Sequence, residues 1–181
     1  MTREHKSVYT LGAEDGLVMG PLMALTVFLI GASTYFSWLY IPALIAILAV
    51  PVFAYYLLAK GYVSGPNNQT FTFIWLRGIC MFFFGGLIMA VVAFILLRWS
   101  VPGFVNHQID MIISVYGSMD SPAAASMVDS FKRIKEAHIL PSALDIALEL
   151  LYLSVFSGSI LSLCYAFFIR RRKPMPPSYN G

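Results

Sequence analysis

Four stretches of the chain are apolar and free of charge, at residues 16–37, 38–59, 78–97 and 150–169. Each has about the 20 residues a helix needs to cross a hydrocarbon layer of roughly 30 Å. Their borders are charged. Glu14 and Asp15 precede the first stretch, Lys60 follows the second, Arg77 and Arg98 bracket the third, and Glu149 and Arg170 bracket the fourth. Trp38, Tyr40, Tyr62, Trp75 and Trp99 fall near these ends, where an amphipathic ring rests at headgroup depth. The pattern predicts an all-α membrane protein, a single domain over residues 1–181 with four transmembrane helices.

Arg3 and Lys6 ahead of an apolar run could read as a secretory leader. The run from Leu17 is too long for a leader core, and a second span follows at once, so it is taken as a membrane helix. The first two spans meet around Tyr35 to Pro42 with hardly any polar spacer, which predicts a tight antiparallel pair.

Residues 99–141 have a different period. After Pro102-Gly103, the residues Val105, Ile109, Ile112 and Tyr116 share one helical face, while Asn106, His107, Asp110 and Ser114 fall elsewhere and Gly117 supplies a stop. Ser121-Pro122 reads as an N-cap with proline at the first helical position. The apolar side of that second helix is expected at Met127, Val128, Phe131 and Ile134, with Asp129–Arg133 and Lys132–Glu136 in pairing registers on its wet side. An amphipathic helical pair between helices 3 and 4 can lie on the bilayer or cap the bundle mouth, or it can dock a partner protein; residue types leave both readings open. The tail 174–181, which begins Pro174-Met-Pro-Pro, is expected to be disordered.

Composition agrees with lipid as the main solvent: 59% of residues are hydrophobic and 12% charged. The net charge of +3 does not indicate nucleic acid, because Arg170, Arg171, Arg172 and Lys173 form one cluster directly behind the last span, where they act as a membrane anchor. With both termini in the cytoplasm, Arg3, Lys6, Lys60, Arg77 and that cluster lie inside and only Arg98, Lys132, Arg133 and Lys135 outside, as the positive-inside bias favours. The same topology places Asn68-Gln69-Thr70 on the cytoplasmic side, so it is a chance match to a glycosylation sequon.

Helices in lipid associate through close backbone approach, so small residues four apart mark the seams. Gly12, Gly16, Gly20 and Ala24 form such a stripe on the first span, and Ser154, Gly158, Ser162 and Ala166 on the fourth. Gly86, Ala90 and Ala93 are candidates on the third. Pro21, Pro42 and Pro51 are expected to kink their helices unless neighbours supply donors.

Candidate chemistry is sparse. The four apolar cores hold no acid, base or histidine, the usual markers of an ion or proton pathway. Asp145 and Glu149 lie on one face at the outer end of the fourth span with Arg98 as their natural partner, and Glu14 and Asp15 face Arg77 at the inner end. These read as ion pairs that fix helix depth, or, for Asp145 and Glu149, as receptors for a cation or proton from outside. His107, Asp110 and His138 are too loosely spaced for a metal site, Cys80 and Cys164 sit in apolar runs, and no phosphate loop or nucleophile elbow is present, so neither metal nor cofactor is expected and an enzyme is not.

The layout resembles the DUF4199 family of bacterial membrane proteins, found mainly in Bacteroidetes. The resemblance rests on the four spans, the tight first hairpin, the run Ser126-Met-Val-Asp-Ser-Phe-Lys-Arg-Ile-Lys-Glu and the closing Arg170-Arg-Arg-Lys-Pro, and it covers about residue 10 to Pro174. It implies a cytoplasmic (inner) membrane address in a Gram-negative cell, with residues 99–141 in the periplasm, and it carries over no functional residue. Three functions remain in competition: a non-catalytic accessory or scaffold subunit that meets a membrane or periplasmic protein through residues 99–141; a small transporter or channel, which would need a homo-oligomer to form a pore; and a helper acting on a lipid-linked substrate through Arg77 and Arg98.

Overall fold

The computed structural model describes residues 7–64, 70–100, 103–119, 121–136 and 141–171. The tail 174–181, His138 and the Asn68-Gln69 part of the sequon lie outside them. Every regular element among the described residues is helical: α1 (Val8–Ser33), α2 (Tyr40–Ser64), α3 (Phe71–Ile95), α4 (Phe104–Gly117), α5 (Pro122–Glu136) and α6 (Ala143–Arg171), with a 3₁₀ turn at Ser37–Leu39 and a π turn at Leu96–Ser100. Four segments, Val8–Ser33, Ser37–Tyr62, Phe71–Ser100 and Ala143–Arg171, are long and apolar enough to cross a membrane.

Three of these helices begin well before the apolar runs do. Charge marks where lipid contact ends, whereas the backbone ladder continues until a cap satisfies its free amides. Ser7 Oγ accepts from Thr10 N at 3.3 Å to open α1, and Thr70 Oγ1 accepts from Phe73 N at 3.3 Å to open α3. Ser142 and Asp145 cap α6 reciprocally, Asp145 N donating to Ser142 Oγ and Ser142 N to Asp145 Oδ2. Glu14, Asp15 and Arg77 therefore stand inside helices, as does Glu149.

α3 lies between α1 and α6, while α2 closes on α1 and more lightly on α6 and α3. The small residues determine this order. α1 runs parallel to α3 with Gly12, Gly16 and Gly20 facing Cys80, Phe84 and Ile88. A methyl group at Gly16 would stand 2.6 Å from Phe84 Cβ and 2.8 Å from the Met81 carbonyl, a main-chain atom that cannot swing away. α6 runs antiparallel on the other face of α3, with Ser154 against Gly86, Gly158 against Phe82 and Ser162 against Gly78. Ala166 is buried on the same stripe, and Ala24 is half-buried on the first. Ala90 and Ala93 of α3 are buried as well. Met19, Met23, Leu58, Ile74, Met81, Phe82 and Met89 fill the interior between these seams.

Polar side chains cross the gaps by donating to carbonyls. Ser154 Oγ reaches Phe82 O at 3.3 Å, and Tyr165 Oη reaches Pro51 O at 2.9 Å, beside the proline that interrupts the α2 ladder. Trp75 departs from the expected aromatic belt. It turns inward and donates from Nε1 to Ser159 O at 3.1 Å, because an indole N–H in an apolar setting needs an acceptor. Tyr62 likewise packs against the core, whereas Trp38, Tyr40 and Trp99 stay exposed. At that end Tyr35 Oη donates to Ser100 O at 3.2 Å, tying the first hairpin to the close of α3.

Beyond the π turn, Gly103 adopts φ 87°, a left-handed conformation that favours glycine, and α4 begins after it. α4 packs against α5, and an ion pair between Asp110 and Lys135 joins them in place of the expected pairs within α5. The stripe of α5 shielded by the described chain is Ala124, Val128 and Phe131, and Met127 and Ile134 of the expected apolar side are exposed. Gly117 is not the left-handed stop that its position suggests; the chain leaves α4 through Ser118 in the right-handed region, with Met119 N donating to Tyr116 O.

The seam can be tested by one methyl group. Gly16→Ala should force α1 away from α3 and lower the thermal midpoint in mild detergent, with a destabilisation of about 1–3 kcal/mol as for other overpacked cores. Gly31→Ala, whose Cβ meets nothing within 4 Å, should leave the midpoint where it is. Equal midpoints for the two variants would show that the α1–α3 contact is not set by glycine.

Candidate functional site

Asp15 lies about two turns into α1, and Arg77 about as far into α3. Because the two helices run parallel at glycine distance, both side chains reach the space between them. Arg77 Nε donates to Asp15 Oδ2 at 2.6 Å, and the side chains are only 7% and 14% exposed. Of the charged residues in the described chain, Arg77 alone is buried. Both residues were expected at the headgroup border; along the chain they are at the border, but in space they point into the bundle.

The third side of the site is α2. A Cβ placed on Gly61 would overlap Arg77 Nη1, Nη2 and Cζ, so the guanidinium plane rests directly on the α2 backbone. Gly12 gives the same allowance from α1, its built Cβ coming to 2.9 Å from the Arg77 carbonyl. Three helices thus converge on one side chain. On the far side of α3, Ser162 is fully buried against Gly78, and its hydroxyl has no hydrogen-bond partner among the described residues.

This arrangement holds charge without offering it. A guanidinium whose carboxylate is already in contact has little net charge left for an incoming anion. What the pair does supply is attachment between α1 and α3, across a gap where hydrophobic burial gains nothing.

The remaining sequence candidates are not brought together. Asp145 Oδ2 accepts from Ser142 N at 2.9 Å and Ser142 Oγ at 2.7 Å, so it is engaged within its own helix terminus instead of with Arg98. A contact three residues away needs no long side chain to be ordered, which is why it prevails over a surface pair. Arg98 and Glu149 are exposed and have no hydrogen-bond or ion-pair partner among the described residues. Glu14 is exposed on the face of α1 beside Asp15. No three His, Cys, Asp or Glu side chains gather as a metal group among the described residues. Gly61 and Gly78 were missed by the sequence reading. Gly78 is in register with Gly86 and Ala90, but Phe82 interrupts the series, and Gly61 has only Gly65 four residues on; the positions of Arg77 and Ser162 in space explain them.

Removing one member of a buried pair leaves the other uncompensated, at about 3–5 kcal/mol. Asp15→Asn should therefore lower the thermal midpoint in mild detergent sharply, and the double variant Asp15→Asn/Arg77→Met should recover much of the loss. Gly61→Ala removes no charge yet should also destabilise, by pushing the guanidinium off Asp15. A midpoint for Asp15→Asn equal to that of the parent would mean that the pair contributes no stability.

No curated protein and no solved structure matches the chain. A family model does match, that of DUF4199, a protein of unknown function, and it covers residues 14–171, from the acidic residues ahead of the first span to the arginines behind the last. With four helices long and apolar enough to cross a membrane, and that model matched over most of its length, the chain belongs to the DUF4199 family.

Proposed function

We propose that the protein is a non-catalytic accessory or scaffold subunit of a membrane complex, set in the cytoplasmic membrane with both termini inside and α4–α5 on the outer face. The observation that supports this reading best is the Arg77–Asp15 pair: the one buried charge among the described residues is engaged in joining helices. A span-to-span path for ions or protons needs ionisable groups that can exchange partners, and this one is held on three sides. The excess of basic residues around the α2–α3 loop and behind α6 supports the orientation.

Each competing reading has one of its residues otherwise engaged. An oligomeric transporter would draw on Asp145 and Glu149 at its outer mouth, and Asp145 serves as a helix cap. A helper on a lipid-linked substrate would draw on Arg77 and Arg98, and Arg77 is already paired. An accessory subunit needs only a stable bundle and an accessible surface, and the polar side of α4–α5, with Asn106, Asp110, Asp129 and Lys132, is exposed.

The reading is tested in the native membrane. Extraction in mild detergent should yield the protein in a complex of fixed stoichiometry, and the charge reversals Asp129→Lys with Lys132→Glu should release it without loss of the folded chain. A protein that runs alone under these conditions, and whose deletion leaves neighbouring complexes intact, would refute the assignment.

A further inference from the structure

The α4–α5 hairpin has an apolar side that no part of the described chain covers. On α4 the shielded stripe is Val105, Ile109, Ile112 and Tyr116, yet Met111 and Val115 are 42% and 48% exposed. On α5 the shielded stripe is Ala124, Val128 and Phe131, yet Met127 and Ile134 are 47% and 40% exposed. At 3.6 residues per turn, both exposed sets stand roughly a quarter to a third of a turn from their own stripe, in the same rotational sense. Two helices packed antiparallel face each other in opposite directions, so an equal rotation on each brings the two sets to one side of the pair. Asn106, Asp110, Asp129, Lys132 and Glu136 occupy the opposite side, where the Asp110–Lys135 ion pair spans the two helices. The hairpin is a flat two-helix raft with one apolar and one charged face.

The connections of this raft specify what covers it. Only residues 101–103 separate the π turn at Leu96–Ser100 from α4, a link that stretches to roughly 13 Å at most. The other end returns to α6 within residues 137–142. Trp99 (68% exposed) together with exposed Tyr35, Trp38 and Tyr40 marks headgroup depth at this same end of the bundle, so α4 starts at the membrane boundary and cannot leave it. A second copy or a partner must be recruited from elsewhere, whereas the bilayer is held next to the raft by the chain itself. We infer that α4–α5 lies flat on the bilayer, with Met111, Val115, Met127 and Ile134 in the headgroup–acyl boundary and the charged face toward water. The inference goes beyond the subunit assignment and holds with or without a partner; it also implies that any partner meets the raft on its charged face.

The test uses full-length protein in phosphatidylethanolamine–phosphatidylglycerol vesicles, with Cys80→Ala and Cys164→Ala as background and one nitroxide-labelled cysteine at a time. Labels at Val115→Cys, Met127→Cys and Ile134→Cys should collide more with dissolved oxygen than with a water-soluble nickel chelate, and labels at Asn106→Cys, Asp129→Cys and Lys132→Cys should show the reverse. Chelate access at Met127 and Ile134 equal to that at Asp129 overturns the inference, because that side then faces water. Shielding from both collision partners overturns it as well, because protein then covers the face. As a second measurement, Met127→Lys with Ile134→Lys should move the Val115 label from oxygen-dominated to chelate-dominated collisions; a Val115 label that stays oxygen-dominated also counts against the inference. A solitary protein in the extraction experiment, combined with the alternating collision pattern, would refute the subunit reading and leave this one standing.

Discussion

In hydrocarbon a leucine gains nothing by exchanging lipid for a neighbouring helix, so the assembly depends on how closely two backbones can approach. α3 meets this constraint on two faces. Toward α1 the partner supplies the glycines, Gly12, Gly16 and Gly20; toward α6 the allowance alternates, Gly78 and Gly86 yielding to serines and Gly158 yielding to Phe82. At these separations side chains as short as serine reach a carbonyl across the gap, as Ser154 does. The cross-helix hydrogen bonds and the central ion pair follow from the close approach.

The ion pair shows how one residue type constrains several helices. Arg77 needs a counter-charge and a flat place to rest, and it takes the first from α1 and the second from α2. Burying an unpaired guanidinium would be prohibitive, so the charge, the carboxylate and the missing Cβ at Gly61 form one unit. Outside the bundle the same logic is weaker. Arg98 is exposed, a setting in which a charge needs no partner, and it has none among the described residues.

Much of this was legible in the sequence because lipid simplifies the code. Span number, the tight first hairpin and the α4–α5 helices follow from hydropathy and cap residues, and the stripes on α1 and α6 follow from a spacing of four. The charged helix ends were misjudged because hydropathy reports contact with lipid, while Ser7, Thr70 and Ser142 determine where the ladders begin. Trp75 was misplaced for a related reason: position near a span end does not reveal which way a ring turns. Asp15 and Arg77 could be proposed as partners, but their burial depends on the helix faces that pack, and nothing along the chain links Gly61 to Arg77.

The parallel contact of α1 with α3 carries a further consequence. Its glycines recur every four residues, so sliding one helix along the other by a single turn would set glycine against much the same surface again. Such a seam is a ruler with identical marks and does not define its own zero. Asp15 and Arg77 occur once each, and a slip of one turn would leave both buried without a counter-charge. The pair therefore acts as the index mark of the bundle, selecting one alignment among several that the backbone alone would accept. An analogous role is filled in coiled coils by a single polar residue at a core position.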